Sequence, residues 1–227
     1  MKINISHILI IFFCFHNLLG QKSNEDDNNK FYREDQIYFG ASLMLLDSNK
    51  EAFKPRGLSR HFQLGFVRDI PLISSGKLAI GLGLGYSFHN YNSNLVRFNI
   101  NNERSIFIVN NTLNQKSKLS FNSIEFPISL RWRNSSFNNY QFWRVYTGIK
   151  FQRNFLSKLK YSSGDIINIS NEVNNWNKEL YLSFGYNTWN FYFTYGLDQI
   201  MKNIRDQYSE NPFKVRSIKI GLIFYLL

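Results

Sequence analysis

Strict alternation of apolar and small or polar residues recurs along this chain and constrains its fold more than any other feature. In LAIGLGLGYSF (78–88), leucine, isoleucine, tyrosine and phenylalanine occupy one face, and alanine, glycine and serine occupy the other. A period of two residues is that of a β-strand, whose successive side chains point to opposite faces. A dinucleotide-binding loop requires G-x-G-x-x-G, and the last glycine is missing here. The stretch therefore predicts a strand rather than a phosphate-binding loop.

Eight segments alternate in this way, at 36–46, 60–70, 77–89, 120–133, 140–153, 178–187, 190–199 and 214–227. Their apolar faces are nearly pure, as with Ile124, Phe126, Ile128 and Leu130 in the fourth segment. The opposite faces mix glycine, serine, threonine and tyrosine with charged residues. A face that accepts charges favours the polar lumen of a membrane barrel over the interior of a soluble β-sandwich.

The composition agrees with a membrane barrel. After the N-terminal segment, no window offers the run of about 18 apolar residues that a transmembrane helix needs. Aromatic residues nevertheless make up 17% of the chain, including 22 Phe and 13 Tyr. This combination is typical of strands that alternate between lipid and lumen, since no single stretch then looks hydrophobic.

The connections between the segments alternate between short and long. Those after the second, fourth and sixth segments are short, whereas those after the first, third, fifth and seventh span about 13 to 30 residues. Bacterial barrels have tight periplasmic turns and long external loops. The sequence therefore predicts an all-β, eight-stranded antiparallel outer-membrane β-barrel over 36–227, with both termini on the periplasmic side. The alternating SIFIVN within the second long loop predicts a hairpin extending above the membrane, or alternatively a contact for a partner.

The N-terminal segment has the pattern of a secretory signal peptide. Lys2 precedes a short apolar run, and cleavage after Gly20 removes residues 1–20 together with Cys14, the only cysteine. The exported chain then has neither a disulfide nor a zinc-thiolate site. Residues 21–35 lack periodicity and predict a disordered periplasmic tail. We therefore expect the chain in the bacterial outer membrane.

The exported chain is basic. Loss of Lys2 leaves 26 basic against 16 acidic residues, a net charge of about +10. The basic residues are scattered along the chain, and an exported protein meets the phosphates of a bacterial surface before it meets DNA. The expected partners are therefore outer-membrane lipid and lipopolysaccharide, and not nucleic acid.

The chain resembles the PorT-like outer-membrane β-barrel proteins of Bacteroidota. The resemblance is carried by FQLGFVRDIPL, LAIGLGLGYSF, IEFPISLRWR, FWRVYTGIKF and the terminal IKIGLIFYLL. It implies the barrel fold and the outer-membrane location more firmly than an activity. The namesake of the family is tied to type IX secretion and gliding, so the resemblance implies protein partners in a secretion machine. It brings no catalytic residues with it.

Charged residues on the inward faces predict a polar network in the lumen. They are Glu125, Arg131, Arg144, Lys150, Glu179, Asp198 and Lys219. An eight-stranded barrel is only wide enough for side chains to fill it, so these charges must pair. We expect a structural salt-bridge core, with Lys219 pairing Asp198 near Glu179; an ion path or a ligand cup is the alternative. Gly81, Gly83 and Gly85 would leave room for long side chains reaching across the lumen.

Ser87 and His89 share one face of a strand, as a serine and a histidine do in some lipid A deacylases. No carboxylate stands beside them in the sequence, and we interpret His61 as an isolated polar residue at the rim. No metal-binding spacing is present, and the acidic run at 25–27 falls in the predicted tail. We therefore expect no cofactor, no metal and no enzymatic activity.

Aromatic and aliphatic positions predict how the barrel sits in lipid. Trp132, Trp143 and Trp189 lie beside the short connections, where an interfacial aromatic belt is expected, whereas Trp176 lies in the third long loop. The lipid-facing positions near mid-membrane are Leu82, Ile128, Leu182 and Leu222, with Ser129 and Ser183 facing the lumen.

These observations predict a non-enzymatic structural or accessory barrel that acts through its external loops and periplasmic ends. The first alternative is a narrow porin-like channel or a small-ligand binder that uses the lumen charges. The second alternative is a lipid-modifying outer-membrane enzyme built on Ser87 and His89.

Overall fold

The computed structural model describes residues 34–48, 55–100, 104–109, 116–134, 142–202, 205–206, 209–212 and 214–226. The predicted signal peptide (1–20) and the acidic run at 25–27 lie outside the described residues. Glu34 and Asp35, the last residues of the predicted tail, are described: Glu34 accepts a hydrogen bond from Gln36, and Asp35 accepts one from the backbone of Asp69. These two residues therefore take part in the hydrogen bonding of the barrel.

The described residues form strands and contain no helix with the length and apolarity of a membrane span. In chain order the strands are β1 (Gln36–Ser48), β2 (Ser59–Pro71), β3 (Leu78–Ser93), β4 (Leu95–Ile100), β5 (Arg104–Val109), β6 (Ser117–Arg133), β7 (Trp143–Tyr161), β8 (Ile166–Asn168), β9 (Trp176–Tyr186), β10 (Trp189–Gly196), β11 (Arg205–Asp206), β12 (Ser209–Pro212) and β13 (Val215–Leu226).

Eight of these strands close into an antiparallel barrel in the order β1-β2-β3-β6-β7-β9-β10-β13. The closing pair joins β1 to β13, with Ile37 opposite Leu226 and Ser48 opposite Val215. Closure leaves no strand edge with unpaired backbone groups, which hydrocarbon would not tolerate. The eight barrel strands coincide with the eight alternating segments, so the predicted fold class is confirmed.

Short strands occupy the long connections. β4 and β5 pair antiparallel as a separate hairpin between β3 and β6, which confirms the hairpin predicted from SIFIVN. β8 adds to the edge of β7 beyond its pairing with β9, and β11 pairs with β12. The long connections therefore contain strands of their own.

The barrel has two distinct ends. The short connections join β2 to β3, β6 to β7 and β9 to β10 at one end, called here the turn end, where β1 also begins and β13 also ends. The long connections lie at the opposite end, called here the loop end. In the tight β9–β10 turn Asn187 adopts φ 53°, a left-handed conformation that asparagine tolerates better than most residues.

Strand β6 shows that the barrel has two sections of opposite polarity. Over 124–132 its outward residues are apolar and exposed, while the inward side chains of Glu125 and Arg131 are buried. Nearer the loop end the pattern inverts, because Leu119 is buried and Lys118 is exposed.

We call the part with apolar outward faces the belt section and the part with polar outward faces the outer section. The boundary falls between Phe88 and Asn90 on β3 and between Asn122 and Ile124 on β6. On β7 the first charged outward residue is Arg153, although Phe155 and Leu156 beyond it are still apolar. Phe88 pairs with Asn122 and Ile124 pairs with Arg153, so these positions lie at one height. An apolar outward band is the surface that a hydrocarbon layer requires.

A β-bulge in β7 keeps apolar side chains inward and charged ones outward in the outer section. The register shifts opposite residues 120–122, where Leu156 adopts φ 52° and is exposed. Before the bulge the even-numbered Asn154 faces inward, and after it the odd-numbered Leu159 does. Without the extra residue, Lys158 would point into the apolar interior of the outer section.

The interior of the outer section is a hydrophobic core of the kind found in soluble proteins. It combines residues of the barrel strands with residues of the connections at the loop end. Its buried members are Met44, Tyr91, Leu95, Leu119, Phe121, Leu159, Ile169, Val173, Ile200, Met201 and Val215. The lumen of the belt section is thus covered by packed apolar side chains on the side of the loop end.

Candidate functional site

The lumen of the belt section is filled by side chains in layers, and the layer nearest the turn end is an ionic cluster. The two carboxylate oxygens of Asp69 accept hydrogen bonds from Arg131 and Arg133 respectively. Arg131 also donates to Gln36, and Arg133 lies 3.6 Å from a carboxylate oxygen of Glu34. All five side chains are buried. Because buried charges are tolerated only when they are paired, this cluster stabilises the layer as a unit.

Tyrosine rings form the next layer. The guanidinium of Arg131 lies 3.9 Å from the centroid of the Tyr146 ring, which in turn packs edge-on against Tyr225 at 5.1 Å. Tyr38 and Tyr192, both buried, line a cavity of only about 10 Å³ at this level. That volume is at the lower limit for a single water molecule. The tyrosines therefore fill the lumen at this height.

A second ionic cluster lies next to the tyrosine layer, on the side of the loop end. Lys150 Nζ is 2.8 Å from Glu125 Oε2, and Lys219 Nζ is 2.6 and 2.8 Å from the two oxygens of Glu179. The amide of Gln152 donates to both carboxylates, at 2.9 Å to Glu125 and 3.1 Å to Glu179. Two acids and two bases thus form a neutral network that spans the lumen.

Glycines on β3 make room for these side chains. A Cβ at Gly81 would lie 2.6 Å from Cδ of Arg131, and one at Gly85 would collide with the Tyr38 hydroxyl. Such separations are shorter than ordinary van der Waals contacts. The prediction that these glycines admit long side chains from other strands is confirmed for Gly81 and Gly85. It is wrong for Gly83, where a Cβ would instead meet Val67, Pro127 and the backbone of Phe66.

The structure places six of the seven predicted lumen charges inside the barrel. Glu125, Arg131, Arg144, Lys150, Glu179 and Lys219 are all buried. Arg144 lies over the ring of Phe142, 4.6 Å from its centroid, close to the turn end.

The prediction for Asp198 is wrong. This residue lies in the connection after β10 and accepts a hydrogen bond from the backbone of Lys178, whose Nζ is 3.9 Å away. The predicted Lys219–Asp198 pair is therefore replaced by Lys219–Glu179. The reason is that β10 ends at Gly196, so the strand alternation that placed Asp198 inward no longer applies there.

The sequence reasoning missed several members of the lumen network. Asp69, Arg133 and the buried tyrosines were not identified, although Asp69 is the central anion of the cluster near the turn end. A signal was present, because Asp69 shares its strand parity with His61 and Gln63, both of which are buried. Applying the alternation to the whole of 60–70 would have placed all three inside.

The serine and histidine of β3 form a buried contact. Ser87 Oγ lies 2.9 Å from Nε2 of His89, while Nδ1 of His89 has no hydrogen-bond partner among the described residues. A serine hydrolase needs a carboxylate on the second imidazole nitrogen and a nucleophile that substrate can reach. Ser87 is fully buried beneath the apolar core of the outer section. The interpretation of His61 as a rim residue is wrong, since it is buried and directly opposite His89.

Three tryptophans lie close to the turn end and point outward. Trp143 and Trp189 both pair with Tyr186, and Trp132 pairs with Val145, one outward position further along β7. All three are exposed on the outer wall. Trp176, predicted in a loop, is instead the first residue of β9, opposite Arg153 at the boundary with the outer section.

The predicted lipid-facing positions lie on the outer wall. Leu82, Ile128 and Leu182 are exposed, and Leu222 is half-buried beside Trp189. Ser129 and Ser183 are buried on the lumen side. The assignment of faces in these strands is therefore confirmed.

A basic cleft lies on the outside of the outer section. The residues that line it are Arg56, Asn92, Lys116, Ser117, Lys118, Lys160, Tyr161 and Ser162, without an acidic side chain among them. Lys118 and Lys160 are directly opposite each other on β6 and β7. Like charges in that arrangement repel, so the cleft favours an anion.

Comparisons with known proteins place the chain in a family. The chain aligns with a crystal structure of Ail, the attachment invasion locus protein of Yersinia pestis, in complex with the heparin analogue sucrose octasulfate, at 13% identity and a TM-score of 0.39 over 86% of this chain and 99% of that chain. A second Ail structure aligns at 11% identity and a TM-score of 0.35, over 85% and 97% of the two chains. A comparison with curated proteins gives no significant match. The family model described as the outer membrane protein beta-barrel domain matches residues 21–202, and with eight strands closed around a polar lumen the chain belongs to that family.

Proposed function

We propose that this outer-membrane barrel is a closed, non-enzymatic scaffold that acts through its surfaces. The observation that carries the proposal is the filled lumen, where ion pairs and tyrosine rings leave a cavity of about 10 Å³ beside Lys150. A channel would need a continuous water-filled path, and a ligand cup would need an opening. The apolar core of the outer section covers the lumen toward the loop end.

The loop end faces the exterior and the turn end faces the periplasm. This orientation follows the general arrangement of bacterial barrels, in which short turns are periplasmic. The wall carries Trp132, Trp143 and Trp189 as an aromatic belt at the periplasmic interface. A signal peptide at 1–20 delivers the chain, and the short apolar run after Lys2 supports this.

The finer family is that of the PorT-like barrels of Bacteroidota, with a role beside type IX secretion. The support is the sequence resemblance in the barrel strands, strongest over 124–151 and at the C-terminus. Protein partners in a secretion machine would contact the external loops and the periplasmic ends.

The basic cleft contacts lipopolysaccharide. Arg56, Lys116, Lys118 and Lys160 lie beyond the apolar band on the side of the loop end. In the proposed orientation this side of the wall faces the outer leaflet and its phosphate groups. Several cations on one wall, with no acidic side chain among the residues that line the cleft, suit a multiply phosphorylated headgroup.

Planar-bilayer recording tests the closed scaffold. The refolded chain, with insertion verified by flotation on vesicles, should give no discrete current steps. A variant with alanine at Tyr38, Lys150 and Tyr192 serves as the control for a widened lumen. Reproducible steps with a fixed ion selectivity in the unmodified protein would contradict the proposal and favour the narrow channel.

Lipopolysaccharide binding tests the cleft separately. A variant with serine at Lys118 and Lys160 should bind lipopolysaccharide several-fold more weakly, with the difference diminishing at high salt. Lys77→Ser, an exposed change at the turn end, is the matched control and should leave binding unchanged. Equal binding by all three proteins would refute the assignment of the cleft.

A further inference from the structure

Two histidines and one carboxylate meet inside the barrel at the junction of its two sections. His61 on β2 is directly opposite His89 on β3, with their ring centroids 4.8 Å apart. Glu125 lies on the adjacent strand β6, and its Oε1 is 3.8 Å from Nε2 of His61. One potential ligand atom from each of the three residues lies within 4.8 Å of the others. All three side chains are essentially inaccessible, with exposures of 0 to 1%.

The imidazoles at this junction have unused hydrogen-bonding capacity. Neither nitrogen of His61 has a hydrogen-bond partner among the described residues, and the same is true of Nδ1 of His89. A buried polar atom without a partner costs about 1–3 kcal/mol, so native structures retain few of them. Imidazole lone pairs beside a carboxylate are also the donor set that divalent transition metals prefer.

Neighbouring side chains orient the three residues in the manner of a second coordination shell. Ser87 Oγ is 2.9 Å from Nε2 of His89 and can accept a proton from it in a hydrogen bond, and the proposed site requires this tautomer, in which the lone pair of Nδ1 is free. Gln152 donates to Oε1 of Glu125, and the ring of Phe121 stacks on His89 at 4.5 Å. Such contacts fix the tautomer and the orientation of metal-binding residues.

We propose that His61, His89 and Glu125 bind a divalent transition metal ion, with Zn²⁺ as the reference ion. Two imidazole nitrogens and one carboxylate oxygen supply three ligands, and a water molecule completes a tetrahedral site. Zinc–ligand bonds of about 2.0–2.1 Å place tetrahedral ligands about 3.3 Å apart. The most widely separated of the three ligand atoms, 4.8 Å apart at most, therefore need to approach each other by about 1.5 Å.

The positive charge of Lys150 should weaken metal binding, and this offers a test of the site. Its Nζ is 2.8 Å from Oε2 of Glu125 and 2.7 Å from the hydroxyl of Tyr192, and it also binds Gln63. The metal would use Oε1 of Glu125 while Lys150 keeps Oε2, so two cations would share one carboxylate. Removal of the lysine charge should therefore strengthen metal binding.

The site is structural rather than catalytic. It lies beneath the apolar core of the outer section, so the ion would enter while the barrel closes and would remain there. Ligands on β2, β3 and β6 tie three adjacent strands together. Binding by the folded state alone should raise the stability of the barrel.

The test refolds the full chain with Zn²⁺ or Co²⁺ and removes free metal before elemental analysis. We expect one metal ion per chain, a Co²⁺ visible spectrum of a tetrahedral nitrogen and oxygen site, and a higher unfolding temperature with Zn²⁺. His61→Gln and His89→Gln should abolish stoichiometric binding, and Glu125→Gln should weaken it at least about tenfold. The double change Glu179→Gln with Lys219→Met is the control, because it removes a second buried carboxylate together with its lysine partner, and it should retain the ion.

Lys150→Met should change the affinity for Zn²⁺ in the opposite direction. It should bind Zn²⁺ at least about tenfold more tightly than the unmodified chain, because it removes a competing cation a few ångströms away. If the histidine variants do not refold, X-ray absorption of the zinc-loaded unmodified chain should still show two imidazole ligands. A metal-free chain after refolding with Zn²⁺, equal loss of metal in Glu125→Gln and in the Glu179→Gln/Lys219→Met control, or a site without imidazole would overturn the proposal.

Discussion

The belt section and the outer section are built from the same strands with opposite polarity. In the belt section apolar side chains such as Ile128 face outward, and charged ones such as Lys219 fill the lumen. In the outer section Leu159 is buried and Lys118 is exposed, as in a soluble β-barrel. The difference shows that the surroundings of the wall, hydrocarbon in one section and water in the other, determine which face a side chain can occupy.

The interiors of the two sections are also stabilised by different interactions. Polar groups in the belt lumen must find partners with specific geometry, as Asp69 does with two arginines. The outer core needs only close packing of apolar groups, which has no directional requirement. Single substitutions should therefore differ in effect according to their position in the wall, and four pairs of substitutions test this comparison.

The largest effect is expected for Lys219→Met in the belt lumen. It leaves Glu179 as an unpaired buried charge, and the loss of unfolding free energy should be about 3–5 kcal/mol. Adding Glu179→Gln should recover part of this loss. Lys118→Met, which removes an exposed lysine of the outer section, should change stability by no more than about 0.5 kcal/mol. Urea unfolding in lipid vesicles measures all three, and equal losses for the two lysines would remove the distinction between the sections.

Arginine scanning along one face of β6 should locate the boundary. Ile128→Arg places a charge in the hydrocarbon and should cost about 2–4 kcal/mol, whereas Asn122→Arg, on the same face of the same strand, should cost about 0–1 kcal/mol. Refolding titrations into vesicles measure the difference. If both variants lose the same free energy, the apolar band does not end between Asn122 and Ile124.

A smaller effect is expected at the aromatic contacts of the outer wall. Trp189→Leu keeps the position apolar but removes the edge-on contact with Phe224, whose ring centroid is 4.6 Å away. The expected loss is about 0.5–1.5 kcal/mol. Trp176→Leu should lose less, because its nearest ring contact, with Phe126, is a tilted one at 6.5 Å. A larger loss at Trp176 would contradict an aromatic belt confined to the turn end.

The smallest effect is expected at the bulge that maintains the inversion in β7. Leu156 has φ 52°, a conformation that glycine adopts without strain, so Leu156→Gly should raise the unfolding free energy by about 0.5–1 kcal/mol. Ser157→Gly, at the next residue, should instead lower it by about 0.5–1 kcal/mol. Thermal unfolding of the two variants measures this difference in sign. A loss at both positions would show that the leucine side chain matters more than its backbone conformation.

The sequence by itself determined the strand number, the closed antiparallel order and the lipid-facing side of each belt strand. It could do so because a two-residue period is a local property, and a continuous apolar face such as that of 124–132 is needed wherever hydrocarbon surrounds the wall. The alternation of short and long connections fixed the neighbours of each strand in the same local way. The glycines of β3 could also be interpreted, since a small residue on an inward face implies that another side chain fills the space.

Only the tertiary structure decided which inward side chains meet. Register, barrel closure and strand ends determine that Lys219 reaches Glu179 rather than Asp198. Asp198 lies only two residues beyond the end of β10, and this is enough to change the partner. The bulge at Leu156 alters the parity of β7 without any glycine or proline to mark it. The meeting of His61, His89 and Glu125 likewise depends on three strands in register, because residues distant in sequence share a site only when the sheet brings their faces together.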